Sequence, residues 1–378
     1  MSRGGTMQGI IAFGGDRKGL FLLRWVCFAL LFWGLTISTR ADDKNSLDFS
    51  GDLRLRFEKD YDVTGKADRD RARYRFRFGM VHKRGDNVEI GARLATGNPN
   101  DQQSPHQTFG DDFGKKNFFM DKAYFKYSFK SGWVWLGKNS FPFWKQNEMF
   151  WDDDVIPEGV SAAYVLKEVA GPGSRVTFTG GQYIIDNFDN LFDSSISAGQ
   201  VAFNKKSSSA SFTGAAGVYH FNNNSGDTLS FNALNDMDLT VLVASAQVNF
   251  KINNKLPVRV GADYINNFED PTVPGFENET NGFVAQVLVG KLKKPGTWTA
   301  GFYYARIEKF ALVANFAQDD WWRFGSGHTD SSNLKGFELR FGYQVAPKIN
   351  LVARHYVTEM IVGDKDANRF RLDLNIKY

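Results

Sequence analysis

The sequence predicts an all-β chain, a transmembrane antiparallel barrel of about sixteen strands, and three observations carry that reading. Apolar and polar residues alternate with a period of two along residues 42–378. The alternating segments run near the roughly 9–11 residues that cross a bilayer at a tilt, where soluble strands average about 5–6. Their connections alternate between short turns and longer polar loops, as in a barrel with turns on one side of a membrane and loops on the other. Composition agrees. Aromatic residues make up 15% of the chain, 35 of them Phe, although it is only 42% hydrophobic. So many rings in so polar a chain suit an apolar outer surface. A helical membrane bundle is excluded, because only one stretch approaches the ~20 apolar residues of a span.

That stretch comes first. Arg17, Lys18 and Arg24 precede or interrupt an apolar run from Leu20 to Leu35, and Thr39-Arg40-Ala41 places small residues at a cleavage point. Residues 1–41 are therefore expected to be a signal peptide, with a mature barrel domain over 42–378. A membrane anchor fits less well, since Arg24 splits the run and no stop-transfer charges follow. Cleavage removes Arg3, Arg17, Lys18, Arg24 and Arg40 against Asp16, which leaves 41 basic and 41 acidic residues of the original 46 and 42. The net +4 belongs to the leader, so charge gives no reason to expect a nucleic-acid partner. The only cysteine, Cys27, leaves too, and a thiol-free mature chain suits an oxidising compartment.

The first mature segment sets Phe49, Gly51, Leu53, Leu55 and Phe57 on one face against Ser50, Asp52, Arg54, Arg56 and Glu58. The second sets Ala72, Tyr74, Phe76, Phe78 and Met80 against Arg71, Arg73, Arg75 and Arg77. In the third, Val88, Ile90, Ala92 and Leu94 oppose Glu89, Gly91, Arg93 and Ala95. Short turns are read at 83–87, 130–132, 168–174, 205–209, 253–255, 293–296 and 346–348, most of them with Gly, Pro, Asn or Ser. Longer loops are read near 60–69, 97–118, 139–157, 187–193, 222–236, 268–281, 309–333 and 362–368. The segments within 175–217 are rich in Gly, Ala and Ser, and alternation does not set their register. The last segment sets Phe370, Leu372, Leu374, Ile376 and Tyr378 against Arg369, Arg371, Asp373, Asn375 and Lys377. A soluble β-sandwich would share the period but not the segment lengths, and a closed barrel leaves no unpaired edge in lipid.

Cost decides the register. An Arg facing lipid at the midplane costs about 2–4 kcal/mol, so flipping the second segment would cost of order 5–10 kcal/mol. The arginines therefore face the lumen, which sixteen strands make an aqueous channel. Arg54, Arg56, Arg71, Arg73, Arg75, Arg77 and Arg93 come from three consecutive strands and are expected to form one positive wall. Near 349–361, Arg354 inside puts His355 outside, where a subunit contact or a bulge would have to accommodate it. The third loop carries Glu148, Asp152, Asp153, Asp154 and Glu158 together with Phe141, Phe143, Trp144, Phe150 and Trp151. An exposed loop does not need five large rings, so this one is expected to fold inward as an acidic constriction facing the arginines. An extracellular cap or a calcium site on the Asp triplet is the alternative.

The stretches GDLRLRFEKDYD (51–62), DRDRARYRFRF (68–78), NVEIGARLATGNPND (87–101), KKNFFMDKAYFKYS (115–128) and WDDDVIPEG (151–159) resemble the Gram-negative putative porin family. The resemblance is strongest over residues 48–165. It implies a sixteen-stranded outer-membrane channel for passive diffusion of small polar or ionic solutes, assembled as a homotrimer among outer-membrane lipid and lipopolysaccharide. It also implies that Tyr378, where Phe is usual, is the terminal aromatic read by the outer-membrane assembly machinery.

Other classes fit less well. An outer-membrane protease or lipase needs a base-activated constellation, and the nearest is Asp319, Asp320, His328 and Asp330 on one connection. Zinc lacks Cys and closely spaced His, and no cofactor is implied. An iron-complex transporter needs about 22 strands and a plug. An adhesin or purely structural barrel would differ from a channel in passing no ions.

Overall fold

The computed structural model describes residues 45–186, 192–223, 234, 237–324 and 331–378. The expected leader 1–41, and His328 and Asp330, lie outside the described residues. Alternation at residue 45 begins the first of seventeen strands: β1 (Asn45–Tyr61), β2 (Arg69–Arg84), β3 (Val88–Thr96), β4 (Gln107–Thr108), β5 (Phe118–Phe129), β6 (Gly132–Lys138), β7 (Glu158–Lys167) and β8 (Ser174–Asp186). The series continues with β9 (Ser194–Lys206), β10 (Ala210–Asn222), β11 (Leu239–Ile252), β12 (Leu256–Asn267), β13 (Asn281–Gly290), β14 (Trp298–Ile307), β15 (Leu334–Ala346), β16 (Ile349–Met360) and β17 (Asp366–Lys377). β4 is a two-residue strand that the second loop adds along β2, where it covers Arg73 and Tyr74 beyond the end of β3. The other sixteen form the wall. Each pairs antiparallel with its neighbours, and β1 pairs with both β2 and β17, so the sheet closes into a barrel.

Side-chain exposure fixes the register. Leu55, Phe57, Phe78, Met80, Ile90 and Leu372 are exposed on the outer face, whereas Arg56, Glu58, Arg75, Arg371 and Asp373 are buried inside. The loop-side ends lie where polar runs interrupt alternation. At the opposite end, the β11–β12 turn places Asn253 and Asn254 at φ of 50° and 56°, the two positive values that a tight hairpin turn demands and Asn tolerates. His355 does face outward. Its Nε2 lies 2.7 Å from the Tyr61 hydroxyl and the two rings stack, so a hydrogen bond, rather than a bulge, accommodates it.

The chain end closes the seam. Gly51 and Tyr378 exchange backbone hydrogen bonds, and the Tyr378 hydroxyl reaches across β1 to donate to the Arg77 carbonyl at 2.9 Å. A Cβ on Gly51 would stand 2.2 Å from that hydroxyl, so only glycine admits the ring here.

The segments whose register was not legible also resolve. On β8, β9 and β10 the inward positions include Thr179, Gly181, Tyr183, Ile196, Gln200, Gly217 and Tyr219, while Phe178, Val201, Phe212 and Val218 face out. Gly181 and Gly217 lie beneath the rings of Tyr183 and Tyr219. This half of the lumen is lined by small residues and rings because it receives a loop, not water. The largest buried apolar cluster sits there, inside the barrel, and joins Trp135, Phe143, Phe150, Trp151, Tyr183 and Tyr219 to Leu312, Phe316 and Trp321 of the seventh loop.

Candidate functional site

Hairpin register places the charges of β1 directly against those of β2: Asp52 opposite Arg77, Arg54 opposite Arg75, Arg56 opposite Arg73, Glu58 opposite Arg71 and Asp60 opposite Arg69. Asp52 thus accepts from Arg75 at 2.8 Å and from Arg77 at 2.7 Å. Glu58 holds Arg71 and, at 2.5 Å, Arg371. β17 supplies Asp373 to Arg56 at 2.7 Å and Asn375 to Arg54 at 2.7 Å. On β5 a bulge leaves Asp121 without a register partner and turns it inward, where it clasps Arg93 at 2.6 Å. The seven expected arginines therefore share one side of the lumen, but it is an interleaved wall of both signs rather than a purely basic one. Arg340, Arg354, Arg369 and Arg371 extend it onto β15–β17.

The third loop, 139–157, lies inside the barrel. Its rings anchor it to one side: Phe141 stacks on Trp151 with centroids 4.2 Å apart, Phe143 and Phe150 pack on Tyr219, and Gln200 hydrogen-bonds both the backbone N–H and the carbonyl of Trp144. Its polar tip reaches β12, where Gln146 and Asn147 donate to Asp263 at 2.6 and 2.5 Å. Its far limb returns to β2.

The acidic residues of this loop have separate fates. Asp154 bridges Arg75 and Arg77 at 3.4 and 2.9 Å, by direct contact rather than across a water gap. Asp153 pairs with Lys145 at 2.5 Å. Asp152 is buried and turned toward the seventh loop, accepting from the backbone N–H groups of Asp154 and Asp319. Glu158 stands apart from them: it opens β7 and pairs with Lys138 at 2.6 Å, exposed at the rim. Glu148 faces the remaining opening, and among the described residues no basic side chain pairs with it at ion-pair distance.

That opening is a cavity of about 220 Å³ lined by both signs: Lys145, Glu148 and Asp153 from the third loop, Asp320 from the seventh, and Glu338, Arg340 and Arg354 from the wall. Burial and the neighbouring Asp320 carboxylate push Glu148 up to about 7. Burial, Glu148 and Asp319 hold Asp152 well above the usual carboxylate range. Asp320 behaves oppositely: burial resists ionisation, but Arg371, Arg354 and Arg56 hold it well below that range.

The seventh loop was not expected here. Phe310, Ala311, Leu312, Val313, Ala314, Phe316, Ala317, Trp321 and Trp322 are all buried, and Trp151 stacks on Phe316 at 5.3 Å. The signal was available, because the argument from rings that placed the third loop inside applies equally to residues 310–322. The second loop joins them: Gln103 donates to the Ala314 and Ala317 carbonyls at 3.0 and 2.6 Å, and His106 is buried among the arginines of β1 and β2. Nothing in the period marks His106. Of the Asp319–Asp320 pair raised for catalysis, Asp320 is held by Arg354 at 2.5 Å and by Arg371, while Asp319 contacts Asp152 through its backbone N–H. Among the described residues no cluster of His, Cys, Asp or Glu could hold a metal ion.

A family model described as putative porin matches residues 61–241 and 237–378. Among solved structures, OmpF of Salmonella typhi in complex with daunomycin is 11% identical, with 90% of this chain and 99% of that chain covered and a TM-score of 0.57. OprB of Pseudomonas putida is 12% identical over 88% and 94% of the two chains, with a TM-score of 0.56. OmpT of Vibrio cholerae, in its trimer form, is 11% identical over 89% and 100%, with a TM-score of 0.52. No curated protein matches the chain.

Proposed function

The chain belongs to the putative porin family, a porin-type channel of the outer membrane, and we propose that it passes small polar or ionic solutes by diffusion through the opening between the third loop and the arginine-bearing wall. One observation carries this: the third and seventh loops leave an opening lined by carboxylates, guanidiniums and an ammonium, while the rings of the third loop are packed away from it and Trp321 is the seventh-loop ring that lines it. Such an opening favours solutes that replace water contacts with charged partners and disfavours apolar ones. Among the described residues most charges of the arginine-bearing wall have an opposite partner, so the field across the opening is local, and its contribution is selectivity more than stability.

On this reading the mature chain begins at Asp42 after removal of residues 1–41 and carries no catalytic site. It sits among outer-membrane lipid and lipopolysaccharide, is inserted by the assembly machinery that reads Tyr378, and forms a homotrimer, as the OmpT relative does in its trimer form. The test is single-channel recording of the purified protein in planar bilayers. Discrete ohmic steps in KCl are expected, in groups of three for a trimer. A correctly folded barrel that passes no ions would make this a structural barrel or an adhesin.

A further inference from the structure

The arginines of β1 and β2 contain an imbalance. Two of the five register pairs set like charges opposite each other, Arg54 against Arg75 and Arg56 against Arg73, an arrangement that costs stability unless counter-charges intervene. They intervene for only half of this square. Asp373 binds Arg56 through two hydrogen bonds, and Arg75 has Asp52 and Asp154. Arg54 has the neutral Asn375, and its nearest carboxylate, 3.9 Å away, is the Asp373 already committed to Arg56. Arg73 meets no carboxylate at ion-pair distance among the described residues. One Nη of Arg73 donates to the Ser104 hydroxyl at 3.2 Å and to the His106 carbonyl at 3.4 Å, and its Nε is buried without an acceptor.

His106 adds a second orphan. It is 8% exposed, and its Nε2 has no partner. Because Arg73 donates to the Ser104 oxygen, that hydroxyl is free to direct its own hydrogen at His106 Nδ1, 3.5 Å away. The imidazole Nδ1 then accepts, the proton lies on Nε2, and Nε2–H becomes a buried donor with nothing to donate to. Burial and the charges of Arg56, Arg54, Arg73 and Arg75 keep the ring neutral. Two under-compensated guanidiniums and two orphaned donors in one cluster lack a single component, a negatively charged acceptor.

We propose that Arg54, Arg73 and His106 form a subsite for one oxyanion group, a carboxylate or a phosphate, on a solute crossing the lumen. The inference rests on the channel reading above and adds to it a solute class. A cation is repelled here, and a neutral solute offers an acceptor without the charge that the square lacks. The bound group accepts from Arg73 Nε and His106 Nε2 and shares its charge with Arg54.

Bilayer recording tests it on the unmodified protein in KCl, with inorganic phosphate or acetate titrated in at constant ionic strength. Either anion should depress chloride current along a saturating curve, and the anion that saturates at lower concentration identifies the group. Arg73→Gln should raise the half-saturating concentration by about tenfold, and His106→Ala by severalfold, the loss of a charged and of a neutral hydrogen bond. Heat-modifiable mobility in gels reports that each variant barrel has folded, and the titration of the unmodified protein needs no variant. Steady KCl conductance with no saturation by either anion would overturn the subsite and leave the channel standing. An unmodified protein that passes no current would overturn both.

Discussion

The two halves of the barrel interior are built on opposite plans. From β15 through β17 and on to β3, inward positions carry Arg, Asp and Glu in interleaved pairs. From β7 to β13 they are mostly Gly, Ala, Ser, Gln, Tyr and aliphatic residues, with Asp263 on β12 receiving the tip of the third loop, and the rings of that loop lie on them. The first half faces water and loop carboxylates, so among the described residues most of its charges have partners, Arg54 and Arg73 being the exceptions. The second faces a loop held by dispersion and burial, so a charge there needs hydrogen bonds from the loop itself, as Asp263 has from Gln146 and Asn147. One wall thus anchors the constriction and the other gives it chemistry, and Asp154 links the two.

The largest effect should come from the anchoring half. Trp151 is 1% exposed and stacked between Phe141 and Phe316, and Trp151→Ala should remove about 3–5 kcal/mol of packing from the loop cluster. Because the strand ladder is untouched, the barrel should keep its resistance to heat while single-channel conductance rises. A variant that loses heat resistance without gaining conductance would show that the rings support the wall and not the loop.

Next comes the link. Asp154→Asn removes the carboxylate that bridges Arg75 and Arg77 and leaves both guanidiniums to Asp52, a loss of about 1.5–3 kcal/mol in loop anchoring. Reversal potentials in a KCl gradient should move toward anions. Replacing both arginines with Ser should move them toward cations, and an unchanged potential in both would remove these groups from the solute path.

A smaller effect is expected from pH. With Glu148 raised to about 7, its charge enters the opening as pH climbs through neutrality, so cation preference should grow between about pH 6 and 8. Glu148→Gln should abolish that change. The folded barrel holds this proton more tightly than the unfolded chain does. The stability it contributes is therefore complete below the ordinary 4.5 and lost as pH rises through 7. The smallest effect concerns the seam outside both halves, where Tyr378→Phe deletes one hydroxyl-to-carbonyl bond. It should cost about 0.5–1.5 kcal/mol in unfolding by denaturant, with conductance unchanged.

The same contrast explains what the sequence made legible. Strand number, turns and loops followed from alternation, and in β1, β2 and β17 the register followed as well, because charge could face only the lumen. Over 175–217 the lumen faces protein, so Tyr183, Ile196 and Tyr219 point inward beside glycines, and the difference between faces that alternation depends on disappears. The constriction was half legible. Phe141 to Trp151 announced an inserted loop, but the equally apolar 310–322 counted only as part of the longer loop 309–333. The seven arginines were placed on one wall, yet their neutralisation was also within reach: once Asp60 lies opposite Arg69, Asp52 must lie opposite Arg77. Asp121 and His106 were beyond it, since a bulge and a long loop obey no period.

The most direct test of the central account joins the third loop to the far wall. Gln146 and Asp263 touch at 2.6 Å inside the lumen, and the chain's sole cysteine, Cys27, falls in the expected leader. In a Gln146→Cys, Asp263→Cys variant a short bis-maleimide, which adds one thiol at each end, should link the two positions in the folded barrel, detected as one joined peptide after proteolysis, and a bulky external maleimide should label neither. Free labelling of position 146 by the bulky reagent, with no link formed, would place the loop outside the lumen and contradict the account.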